Sequence, residues 1–283
     1  MLFGISSHLY HAYPLSQAHL LELAEYGFRR LELFAAQGHF DYHDPAAVEN
    51  LGRWLDASGM ALHSVHAPIV ESIVGRRWGA AYSNATTDTA ARERAVQETL
   101  AAIAVARTVP YGCLVVHLGI ADVQNPGPND NSREPAKRSV EQIHEAAVAA
   151  GVRVALEVIP NRLSSAESLV QMIEDELDLP GIGICLDFGH AFLLGDLADA
   201  IETTSGHLAT THVHDNRGKD DDHLTPFEGH IDWETALMTV QKVGYEGTLL
   251  FELQSQDPAR VVLERAAAAR RRFERILEAD SFQ

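Results

Sequence analysis

The stretch ICLDFGHAF, Ile184 to Phe192, decides how the rest of this 283-residue chain is read. Ile-Cys-Leu suits a strand with no wet face, as found in parallel sheets covered by helices on both sides. Yet the run stops on Asp187, and His190 follows three residues later. Ionisable groups at the end of a buried strand are either a hydrogen-bonded loop pair or groups facing a pocket. Their neighbours along the chain must decide.

Working outward, eight strand-like runs alternate with longer helical segments, at 2–7, 29–35, 61–68, 113–119, 152–159, 182–189, 208–216 and 247–253. Gly27, Gly59, Gly151 and Gly244 stand where helices should end, just before the next strand. Eight βα units in succession predict an α/β fold, a single (β/α)8 TIM barrel over residues 1–283, in preference to an open doubly wound sheet. VQNPGPNDNSREP, 123–135, reads as a long loop after the fourth strand.

The carboxyl ends of barrel strands carry the active site, and here they are filled one after another. Strand three ends at His66, four at His117, five at Glu157, six at Asp187 with His190 beyond, seven at His212 and eight at Glu252. Successive strand residues face opposite ways. Leu114/Val116/Leu118, Val154/Leu156/Val158, Ile184/Leu186/Phe188 and Leu249/Phe251/Leu253 therefore form the outer faces, and His117, Glu157, Asp187 and Glu252 point inward. One such group alone reads equally well as a satisfied core residue. Several imidazoles and carboxylates converging on one mouth are penalised by desolvation and like-charge repulsion unless cations balance them. Mixed nitrogen and oxygen ligands suit zinc, manganese, cobalt or iron better than calcium. After strand seven, HVHDNRGKDDDHLTPFEGHIDW adds an Asp221-x-His223 pair able to place two ligands on one side of an extended loop, while Asp220 and Asp222 read as a solvated turn.

The formal charge of −18 disfavours nucleic acid as a partner. The longest apolar runs are strand-length and the start lacks a signal-peptide pattern, so no membrane association and a cytoplasmic location are expected. Cys113 and Cys185 sit inside apolar strands and read as reduced, buried thiols.

These motifs, above all LDFGHAF and the long segment after strand seven, resemble the xylose-isomerase-like TIM-barrel superfamily, which holds sugar isomerases and epimerases together with an apurinic endonuclease branch. The likeness runs from SVHAP to FELQ. From the epimerase branch it implies a metal held by Glu157, Asp187, His212 and Glu252, with the two glutamates exchanging a proton beside the substrate carbonyl and His190 and Arg217 holding sugar oxygens. From the endonuclease branch it implies up to three zinc ions, with His66, His117, His190, Asp221 and His223 as additional ligands.

The expectation is therefore a divalent-metal isomerase or epimerase (Mn, Co, Zn or Mg) acting on a small sugar or related polyhydroxy carbonyl compound, with Glu157 and Glu252 as acid and base. His190, Arg217 and His214 would bind substrate. Tyr10, Phe34 and Trp233 are candidates to cover the apolar face of the sugar, with core packing the better reading of each. The alternative is a multi-zinc phosphodiester hydrolase. Assembly into a homo-oligomer is left open.

Overall fold

Period-two alternation sorts the strand side chains into two cores. In the computed structural model, which describes residues 1–254 and 257–279, the chain runs β1 (Leu2–Ser6), α1 (Gln17–Glu25), β2 (Arg30–Phe34), α2 (Pro45–Ser58), β3 (Ala61–His66), a small hairpin of β4 (Ile73–Val74) and β5 (Arg77–Trp78), and α3 (Thr89–Ala104). It continues through β6 (Cys113–Val116), α4 (Arg133–Ala149), β7 (Arg153–Glu157), α5 (Ala166–Gln171), β8 (Gly183–Asp187), α6 (Phe188–Leu194), α7 (Leu197–Thr204), β9 (Leu208–Val213), α8 (Trp233–Lys242), β10 (Thr248–Phe251) and α9 (Ala259–Ala279). All strands except the hairpin pair in parallel and close in the order β1-β10-β9-β8-β7-β6-β3-β2. This is the expected α/β TIM barrel.

The outward faces named from the sequence, such as Leu114, Val116 and Leu118 or Ile184, Leu186 and Phe188, join the large core between barrel and helices. Inside the barrel lies a much smaller cluster of Cys113, Val115, Ala155 and Cys185. Both thiols are free and buried, and burial pushes that of Cys113 up to about 12, so it stays protonated.

The four predicted helix-stop glycines all take positive φ. Gly59, for example, caps α2 at φ 65°, a left-handed conformation in which a side chain would be strained. Two features were not read from the sequence. The β4–β5 hairpin stands over the barrel mouth, its two strands being too short to leave a periodic signal. And β8 passes straight into α6, because Asp187 caps it by accepting a 2.7 Å hydrogen bond from the His190 amide. His190 is thus a helical residue with a defined direction.

Candidate metal centre and active site

Strand geometry delivers the predicted ligands to one place. His66, Glu157 and Asp187 are the last residues of β3, β7 and β8; His117 and Glu252 directly follow β6 and β10; His212 is the penultimate residue of β9. In a closed parallel barrel these ends face the same mouth.

The deepest group is Glu157, Asp187, His212 and Glu252, all buried, with one ligating atom of each within 4.8 Å of the others. His212 Nδ1 lies 3.2 Å from Glu157 Oε1, 3.4 Å from Glu252 Oε2 and 3.8 Å from Asp187 Oδ2. On one flank, His66 Nε2 and His117 Nε2 approach the same oxygen, Glu157 Oε2, at 3.1 and 3.0 Å. On the other flank, His190 Nε2 and His223 Nε2 both lie 3.1 Å from Asp221 Oδ2. His214 completes that flank, with its Nε2 3.1 Å from Asp187 Oδ2 and its ring stacked on His223.

The opposite ring nitrogens show which way the lone pairs point. His66 Nδ1 donates to the Ala67 carbonyl, His190 Nδ1 to that of Val158 and His223 Nδ1 to that of Glu252, at 2.9, 3.1 and 3.1 Å. A carbonyl can only accept, so in each neutral ring the Nε2 lone pair faces a carboxylate oxygen. Two lone-pair groups at about 3 Å repel unless a proton or a cation lies between them.

Without a cation, protons fill these places. Burial opposes a charge on His66, but the Glu157 carboxylate outweighs it and raises the imidazole to about 9. Asp221 does the same for His223, also to about 9. Glu157 itself is pushed up by burial and pulled down further by His117 and His212, so it is held well below the usual carboxylate range.

Above these ligands opens a cavity of about 260 Å³. His66, His117, Glu157, His190, Asp221, His223 and Glu252 line its floor, and Phe34, Ile69, Trp78 and Ile159 are among its apolar walls. Among the described residues, no lysine or arginine lines it.

Other expected positions lie elsewhere. Arg217 is not brought to this cavity: its exposed side chain turns to Asp222 at 3.4 Å, because the loop after β9 carries it outward. His214 is fully buried beneath the cavity, and no atom of it forms the lining. Trp233 and Tyr10 are core residues, whereas Phe34 reaches the wall.

Sequence reasoning passed over three residues. Asp215 is buried and holds the ligand-bearing loop, accepting from the amides of Asn216, Phe227 and Ile231 and from Trp233 Nε1. His8, just after β1, lines the cavity with Nδ1 unpartnered. Glu32 lies wholly buried inside the barrel. The inward phase of β2 was the signal for Glu32; nothing local marks the other two.

A family model described as xylose isomerase-like TIM barrel matches residues 20–277. The chain belongs to this family. Among solved members of the same fold, this xylose isomerase-like barrel is similar to a D-tagatose 3-epimerase-like protein at 24% identity, covering 99% of this chain and 100% of the other with a TM-score of 0.82. A D-psicose 3-epimerase from Clostridium cellulolyticum H10, solved with D-tagatose, is 18% identical with a TM-score of 0.76 over 98% and 99% of the chains. The IOLI protein, solved with a zinc atom, is 15% identical with a TM-score of 0.74 over 99% of each. Identities this low establish the shared fold alone.

The residues of this xylose isomerase-like barrel fit a divalent cation on their own geometry. Three carboxylates within 4.8 Å repel one another by about 3.5 kcal/mol or more per pair at an effective dielectric near 20. His66, His190, His212 and His223 have their far nitrogens held by acceptors, the arrangement that orients histidines toward metals. Two buried atoms of the outer flank, Asp221 Oδ1 and His214 Nδ1, have no hydrogen-bond partner.

Proposed function

We propose that the protein is a divalent-cation-dependent isomerase or epimerase of a small, unphosphorylated polyhydroxy carbonyl compound. The observation that carries this reading is the pair Glu157 and Glu252, which approach the same nitrogen of His212 at 3.2 and 3.4 Å and both reach the cavity. Two carboxylates on one cavity can remove a proton beside a carbonyl and return it from the other side. A divalent cation bound by Glu157, Asp187, His212 and Glu252 would supply charge compensation for substrate oxygens. The cavity is small beside the roughly 300–1,000 Å³ of drug-sized pockets, which suits a monosaccharide. Its described lining has no lysine or arginine to offer a phosphate a counter-charge. His190, His117 and His223 stand where they can hydrogen-bond hydroxyls, while Trp78 and Phe34 can cover an apolar sugar face. The solved proteins similar in fold, named for epimerisation of D-tagatose and D-psicose, support the same class.

The test is a panel of free ketoses deuterated at the carbon beside the carbonyl, supplied with manganese, cobalt or zinc. Label should appear in water, and Glu252→Gln should retain the fold while losing at least about a hundredfold in rate at saturating metal, the scale of acid–base contributions. Failure of every sugar to turn over, or an undiminished Glu252→Gln variant, would remove the proposal.

Hydrolysis of phosphodiesters by several zinc ions is a second reading, favoured by the three adjoining ligand groups around Glu157, His212 and Asp221. It predicts three tightly bound zincs and nicking of abasic DNA. A cavity whose described lining has no lysine or arginine, and the charge of −18, weigh against it.

A further inference from the structure

We propose that Glu32 is a positioning residue for the candidate cation site: by accepting a hydrogen bond from the Nε2–H of His212 inside the barrel, it directs the Nδ1 lone pair of that ring at Glu157, Asp187 and Glu252. The inference rests on the divalent-cation reading of that site.

Glu32 lies on β2, wholly buried, one layer below the mouth. Its Oε2 accepts a 2.8 Å hydrogen bond from the Ser64 hydroxyl and lies 3.1 Å from His212 Nε2. Its Oε1 is buried and has no partner. The local sheet geometry creates this contact. Between β2 and β3 the register shifts at Leu31/Glu32, so Leu31 pairs with Leu62 but Glu32 pairs with Ser64. The extra residue, His63, is absorbed as an irregularity, and a small hydroxyl instead of an imidazole comes to lie beside the carboxylate.

His212 therefore meets carboxylates at both ends of its ring. A neutral imidazole has one N–H and one lone pair, and it must spend the N–H on one end. Toward the interior there is a single carboxylate oxygen, already aligned by Ser64 and with no other donor. Toward the mouth there are three carboxylates at 3.2 to 3.8 Å, a set that one proton cannot satisfy and a cation can. The proton belongs at Nε2, and Nδ1 is the ligand atom. His66, His190 and His223 are anchored by backbone carbonyls. His212, in the deepest group, is anchored by a carboxylate, which makes its ring a stronger ligand.

The full-length protein, stripped with a chelator, would be titrated with zinc in competition with a chromophoric chelator and with cobalt followed by absorption. Histidine 15N NMR of the zinc-loaded protein, with the His212 signals identified by their loss in His212→Gln, reads the tautomer directly. The expected results are a proton on Nε2 of His212, zinc affinity weakened about 10- to 100-fold in Glu32→Gln, and a smaller loss in Ser64→Ala. A purely structural role would confine the effect of Glu32→Gln to the melting temperature of the cation-free protein; the positioning role weakens zinc affinity in variant protein that is still folded at the assay temperature. A proton on Nδ1 of His212, or zinc binding by Glu32→Gln within twofold of the native protein, would overturn the assignment of Glu32. The NMR arm reads the native residue at position 32, so it decides even if Glu32→Gln and Ser64→Ala misfold. A native protein that takes up neither zinc nor cobalt would overturn the cation reading and this inference with it. Native uptake with an unaffected Glu32→Gln overturns the Glu32 role alone.

Discussion

Gly189 shows how closely single residues are set around the site. A Cβ built there overlaps the ring of His214, which packs against the first turn of α6. Gly189→Ala must move either that helix or the imidazole, and its expected cost is about 1–3 kcal/mol of stability, read from urea unfolding. A variant as stable as the native chain would show that His214 has room to yield. At this scale the sequence was informative wherever strand phase spoke: His117, Glu157, Asp187 and Glu252 were placed inward by alternation alone, and all four stand together at the mouth. It was silent where a side chain's direction depends on a loop. Arg217 looked like a substrate ligand and turns instead to Asp222. His8 looked like nothing in particular and lines the cavity.

Among the elements, the segment between β9 and α8 decides most. It carries Asp221 and His223 with little regular structure, and its shape is held by Asp215, whose two oxygens accept three amides and the Trp233 indole N–H. Gly229 is required there, since a Cβ would strike the Asp215 carboxylate. Asp215→Asn replaces one acceptor with a donor amid donors, and a loss of about 3 kcal/mol is expected on the scale of hydrogen bonds to a buried charge. The measurement is the denaturation midpoint of the cation-free protein; an unchanged midpoint would show that the loop is held by something else. From the sequence the loop was legible as a stretch rich in ligand types, but not the residue that folds it, because Asp215 gathers partners as far as Trp233. The β4–β5 hairpin was missed for a related reason. Two-residue strands have no period, and their place over the cavity is set by packing around Phe34, Val70 and Ile73.

For the whole molecule, the balance of charge inside the barrel predicts how stability depends on pH and cation. Unfolded imidazoles titrate near 6.5, whereas His66 and His223 in the cation-free fold are raised to about 9 by Glu157 and Asp221. Each contributes stability that is fully present below pH 6.5 and lost as pH rises through about 9. His39, lowered by burial to about 4, behaves oppositely: its contribution is present above pH 6.5 and lost as pH falls through about 4. The chelator-treated protein should therefore melt at lower temperature at pH 9.5 than at pH 6.5. With zinc or manganese present the alkaline loss should shrink or reverse, since cations compete with protons for these nitrogens. Melting curves at several pH values with and without cation check this, and equal cation stabilisation at pH 6 and 9 would contradict it. Among the described residues no helix is long and apolar enough to cross a membrane.

The barrel and the inward set of candidate ligands were legible in the chain alone, because both depend on patterns repeated within each short segment: period-two strands, helix-stop glycines and ionisable residues at strand ends. How those candidates divide into a deep group and two flanks, which ring nitrogens face them, and that Glu32 stands behind His212 emerge only once the chain is folded. Those relations join residues as much as 180 positions apart, and they depend on barrel closure and on a one-residue shift in strand register, neither of which leaves a trace in local pattern.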